Sequence, residues 1–92
     1  MSNHHSIPQK LSEATSLVAE SLQDAGHAER VEMTYELIEA NECGVALENL
    51  CSNLHEFACP IPHKAYALIK EVGDATNVNS SYWLMLQSQI IS

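Results

Sequence analysis

Cys51, His55, Cys59 and His63 recur at every fourth position, two thiols alternating with two imidazoles. On one unbroken helix they would share a face, and thiolate sulfur and imidazole nitrogen are the donors that zinc takes. Cys51 and His55 alone could reach a common ion from one helical turn. Pro60 interrupts the series, because proline has no N–H to donate and restricts the residue before it. The spacing also lacks the paired C-x-x-C or H-x₃-H knuckles of structural zinc sites. Free cysteine is among the most buried residue types, so the series reads as buried thiols beside a surface histidine. No metal and no cofactor are expected. A small metal sensor using Cys51, His55 and Cys59 remains a distant third reading.

A second constellation is purely acidic. Glu29, Glu32, Glu36 and Glu39 are spaced by three, four and three residues, which lines them along one side of a helix. Like charges so placed cost a few tenths of a kcal/mol per pair, so helix stability does not account for them. The ordinary explanation is a solvated face. The functional one is a patch complementary to a cationic cleft. Nothing in the chain argues for catalysis: no motif sets a nucleophile on a strained turn, and three glycines build no phosphate cradle. Paired carboxylates such as Glu36 and Glu39 would need a desolvated cleft that so short a chain has little room for. The protein is read as a non-enzyme.

The bulk composition points the same way. Twelve acidic residues face Lys10, Arg30, Lys64 and Lys70, for a net charge of −8. Such a surface repels phosphates, which excludes nucleic acid as a partner and suits a basic protein, whose approach it would steer. Three cysteines, an odd number, are no disulfide framework. The opening MSNHHSIPQK has no apolar signal region, and no apolar run approaches the ~20 residues of a membrane span. A cytoplasmic location is expected, with no membrane contact.

The elements that must carry these residues are helical throughout. Ninety-two residues, 46% of them hydrophobic, predict one domain with a small core. Residues 1–7 are expected to fray. Pro8 suits a first helical turn, followed by Leu11, Ala14, Leu17/Val18, Leu22 and Ala25, with Gly26 as the stop. A second helix from His27 to Asn41 carries Ala28, Val31, Tyr35 and Ile38 on one face, apart from the acidic stripe. Asn41–Gly44 breaks the pattern. A third helix places Val45, Leu47, Leu50, Cys51, Leu54 and Ala58 inward and ends at Cys59-Pro60. Pro62 then opens a fourth with Ala65, Leu68, Ile69 and Val72 at core spacing, closed by Gly73. Ser80 or Ser81 could cap a short fifth helix bearing Tyr82, Trp83, Met85 and Leu86, a cluster expected to dock on the bundle. No strand signal appears. The expected fold is all-α: a small antiparallel bundle of four main helices plus a short C-terminal helix.

One stretch carries a family resemblance. ALENLC-x-x-L-x-E-F (46–57), then Pro60-Ile61, then Y-x-L-I-K-E-x-G (66–73) resembles the core of MafI-type immunity proteins. Glu48, Asn49, Leu50, Cys51, Leu54, Glu56, Phe57, Pro60, Ile61, Tyr66, Leu68, Ile69 and Gly73 carry it. His55 departs from it where an aromatic is expected, and Pro62 where a capping Ser or Thr is usual. The resemblance implies a small helical antitoxin that binds a cognate toxin C-terminal domain, a basic nuclease and by preference a ribonuclease, and silences it without turnover. Glu29, Glu32, Glu36 and Glu39, with His55, Glu56 and His63 near the break, are the expected toxin contacts. The alternative is a helical adaptor or regulatory module with no toxin partner. Oligomeric state is left open.

Overall fold

The computed structural model describes residues 6–91. Its first helix, α1 (Ile7–Asp24), opens on a capping box. The Ser6 amide donates to Gln9 Oε1 at 2.8 Å and the Gln9 amide donates to Ser6 Oγ at 3.3 Å. Ser6 and Ile7 are therefore the start of the helix and not part of a frayed tail. The rest of the expected tail, residues 1–5, lies outside the described residues.

Three further long helices follow: α2 (Ala28–Glu39), α3 (Cys43–Glu56) and α4 (His63–Thr76). All four end in the same way, with a left-handed residue that turns the chain out of the helix. These residues are Gly26 (φ 88°), Asn41 (63°), Ala58 (49°) and Asn77 (61°). In each, the next amide reaches back five residues: His27 to Leu22 O, Glu42 to Leu37 O, Cys59 to Leu54 O and Val78 to Gly73 O. This is the Schellman closure, in which Gly or Asn normally takes the left-handed position. Ala58 is the exception, since a Cβ there crowds the following carbonyl. The Gln89 side-chain amide donates to Leu54 O at 2.8 Å and Cys59 O at 2.9 Å, gripping the turn on both sides of the strained residue.

The helices run up and down in sequence. Arg30 near the start of α2 bonds Asn53 near the end of α3, and Lys64 at the start of α4 pairs with Glu13 of α1. Leu11, Val18 and Leu22 of α1, Leu47, Leu50 and Leu54 of α3, and Ile69 and Val72 of α4 are fully enclosed. Helix α2 buries only Val31, Thr34 and Ile38, a narrow footing for its length. Buried threonines are satisfied within their own helices, Thr15 donating to Leu11 O and Thr34 to Arg30 O.

Several sequence expectations need correction. Asn41–Gly44 is not a break throughout, because α3 already begins at Cys43 and buries it. Val45 is about half exposed and Ala58 is exposed in the turn, so neither is in the core. Leu17, Ala25 and Ala28 also face outward, Tyr35 and Leu68 lie at the margin, and Thr15, Thr34 and Tyr66 take the inward positions. Gly73 does not close α4, which continues to Thr76. A two-residue parallel bridge pairs β1 (Ile61–Pro62) with β2 (Ile90–Ile91). Proline holds its predecessor extended, so Pro62 keeps Ile61 in strand conformation, and a bridge this short leaves no periodic signal.

The C-terminal segment comprises α5 (Ser81–Leu84), a 3₁₀ turn (Gln87–Gln89) and β2. Asn79 Oδ1, not a serine, accepts the Ser81 amide at 2.9 Å at the start of α5. The expected docking holds for Trp83 and Leu86, which are buried, while Leu84 points out. Trp83 lies flat against Gly73: a methyl there would overlap the indole, with Cε3 and Cη2 at 2.6 Å. Gly73 is thus a close-approach glycine inside a helix.

Two predictions follow from this packing. Gly73→Ala overpacks the Trp83 contact and should destabilise the fold by about 1–3 kcal/mol in urea denaturation. In a Trp83→Ala background the sign should reverse, since alanine is the better helix former by about 1 kcal/mol once the ring is gone. Separately, Ala58→Gly should raise stability by about 1 kcal/mol by relieving the left-handed alanine. A loss of stability on thermal denaturation would contradict the strain.

Candidate functional site

The four stripe glutamates Glu29, Glu32, Glu36 and Glu39 are all exposed. Helix α2 packs on α1 and α3 through Val31, Thr34 and Ile38, which turns the acidic side away from the bundle. Over about 15 Å of helix the one ion-pair contact to the stripe among the described residues is from His27, whose Nδ1 lies 3.7 Å from Glu29 and carries charge only when protonated.

The distribution of positive charge explains why. Lys10 pairs with Glu71, Lys64 with Glu13 at 2.8 Å, and Lys70 with Asp74 at 3.4 Å, all on α1 and α4. Arg30 is the remaining cation, and it is turned inward. Its guanidinium donates to Asn53 Oδ1 at 3.0 Å and sits over the Phe57 ring at 5.7 Å, within cation–π range. Asn53, buried, in turn donates to Asn49 Oδ1 at 2.8 Å. From Ala28 to Phe57 the chain carries seven glutamates and this single arginine. The α2–α3 side is therefore strongly negative, and the opposite side is close to balanced.

His55 and Glu56 are exposed at the end of α3, and the antiparallel arrangement brings this end to the start of α2. Phe57 stacks on His27 with centroids 3.7 Å apart and planes 14° apart, linking the neighbourhood of Glu56 to that of Glu29. His63 is exposed but begins α4, which packs on α1 and α3. The structure thus brings the α3 end that carries His55 and Glu56 to the start of α2 that carries Glu29, extends the stripe away from that end towards Glu39, and sets His63 on a different helix, α4.

Sequence reasoning missed the His27–Phe57–Arg30–Asn53 cluster. Asn53 sits three residues after Leu50, at a core position that a polar residue obscures. It also missed Met33, about half exposed on the acidic side. That signal was legible, since Met33 falls between Glu29 and Glu36 and off the Val31–Ile38 face.

Burial disfavours the thiolate form of all three cysteines. Burial pushes Cys51 up to about 12 and raises Cys43 and Cys59 as well. Burial also raises the Tyr35 phenol. All three cysteines are free and buried, and His55 of the Cys/His series faces solvent. Among the described residues, no group of three or more His, Cys, Asp or Glu side chains is disposed to hold a metal ion, and no pocket opens in the surface. No described helix is long and apolar enough to cross a membrane. No family model, curated protein or solved structure matches the chain.

The shift at Cys51 has a consequence for alkaline stability. The folded thiol keeps its proton to about 12, whereas an unfolded one ionises near its ordinary value of 9.0. Its contribution is whole below pH 9 and is lost as pH rises from there towards 12, because only the unfolded chain releases the proton. Cys51→Ala should lower stability overall yet flatten its decline between about pH 8 and about pH 11. Urea denaturation across that range checks this, and parallel declines in both proteins would contradict it.

Proposed function

We propose that the protein is an immunity protein: a stoichiometric, non-catalytic inhibitor of a toxin domain, acting in the cytoplasm of the toxin-producing cell or its siblings. The toxin is a basic nuclease, with ribonuclease the favoured chemistry, since an enzyme that holds a polyanion presents cations around its active site. The observation that carries the reading is the segregation of charge. Seven glutamates and one inward-turned arginine lie between Ala28 and Phe57, while the lysines are paired on the other side.

Physically, such a surface suits inhibition by occlusion. A negative face steers a cationic partner into encounter and can raise association rates by roughly 10–10³-fold. Carboxylates set over the cleft would then take the place of substrate phosphates. Continuous backbone hydrogen bonding holds them on a regular helix, so little ordering is required on binding. The MafI-like stretch from Ala46 to Gly73 supports the same reading, and its Leu50, Leu54, Ile69 and Gly73 serve the scaffold.

Co-expression with a basic nuclease toxin domain, sought among the genes flanking this one, tests the proposal. Wild-type protein should protect cells in proportion to its abundance. Glu32→Lys/Glu36→Lys should fold normally, because both side chains are exposed, yet associate at least about tenfold more slowly at low salt, with a weaker salt dependence. Failure of the wild-type protein to protect would return the chain to the helical-adaptor reading. Unchanged association of the folded double variant would reduce the stripe to a solvated face.

A further inference from the structure

The outer side of α2 is not uniformly charged. Met33 stands 47% exposed in the middle of it. On a helix, the side chains one turn from Met33 are Glu29 and Arg30 before it and Glu36 and Leu37 after it. Arg30 is turned inward onto Asn53 and Phe57 and Leu37 is half-buried, which leaves Glu29 and Glu36 as its exposed neighbours. The buried side of the same helix is Val31, Thr34 and Ile38, so Met33 belongs to none of the intramolecular packing of the bundle's interior. An exposed thioether side chain bordered by two carboxylates has the layout of an apolar anchor beside a charged rim.

We infer that Met33 is the apolar anchor of the toxin interface, an inference that rests on the immunity reading. The partner it fits is a cationic protein surface with an apolar recess between its basic side chains. The recess takes the Met33 side chain while Glu29, Glu32 and Glu36 meet the surrounding cations. Methionine suits this role because its unbranched, polarizable chain adapts to an irregular recess. Charge selects the occupant. A second copy of this face would oppose carboxylate to carboxylate, and anionic lipid or nucleic acid would be repelled for the same reason.

Carboxylates and thioether should act at different stages of binding. The carboxylates attract across a Debye length, about 10 Å at 0.1 M salt, and so govern encounter. Met33 contributes only once seated, and so governs how long the complex lasts. Leu17, Val45, Leu84 and Ile91 are also exposed apolar residues. Val45 has Glu42 and Glu48 one turn away on either side, which makes it the most stringent comparison.

The experiment measures association and dissociation rates against a purified, catalytically disabled basic nuclease toxin domain drawn from the genes flanking this one. The proteins compared are wild type, Met33→Ala, Val45→Ala, Leu84→Ala and Glu32→Gln/Glu36→Gln. The expected result is dissociation at least about tenfold faster for Met33→Ala, with association within about twofold of wild type. Glu32→Gln/Glu36→Gln should instead slow association at low salt, and Leu84→Ala should change neither rate. Wild-type dissociation from Met33→Ala, or loss of residence in Val45→Ala alone, overturns the inference while leaving the immunity reading intact. A wild-type protein that neither binds nor protects overturns that reading itself.

Discussion

Four basic side chains must serve twelve carboxylates, and their placement is the constraint from which this molecule's asymmetry arises. A small bundle at net charge −8 carries a standing self-repulsion that opposes compaction. Two of the lysine pairs, Lys10–Glu71 and Lys64–Glu13, join α1 to α4, and the third, Lys70–Asp74, lies within α4. Each such surface pair contributes no more than about 1 kcal/mol. Their location matters more than their strength, because it leaves the α2–α3 side uncompensated.

Arg30 is the instructive case. It lies on α2, among the stripe glutamates in sequence, and an outward guanidinium would have neutralised part of that face. Phe57 and Asn53 draw it inward instead. A charged hydrogen bond of this kind is worth about 1.5–3 kcal/mol, and it also satisfies the Asn53 amide oxygen, whose nitrogen is already bonded to Asn49. The same contact fastens α2, whose apolar footing is narrow, to the end of α3. One interaction therefore stabilises the least buried helix and keeps its outer face negative.

Much of the fold was legible because helical periodicity is strong in Leu11–Leu22, Leu47–Leu54 and Ala65–Val72. Boundaries were less so. Gly73 has the composition of a helix stop, but its purpose is to admit the Trp83 ring, a contact ten residues away that local pattern does not encode. Asn77 in fact supplies the left-handed closure. Ala58 is neither the glycine nor the asparagine that would signal a positive φ, and the Gln89 amide that grips its turn comes from thirty residues beyond Cys59. The acidic stripe could be read directly, as charge spacing needs no tertiary information. Its connection to His55 and Glu56 could not, since it depends on the Phe57–His27 stack and the Arg30–Asn53 bond.

The claim that binds these features together is that the α2–α3 side is the working surface and the α1–α4 side is scaffold. Amide hydrogen exchange on the protein alone and in the presence of the basic nuclease domain proposed as its partner tests it most directly. The account predicts added protection concentrated in residues 29–40 and 53–57, with α1 and α4 changed little. Protection centred instead on α1 and α4, around Lys10 and Lys64, would contradict it.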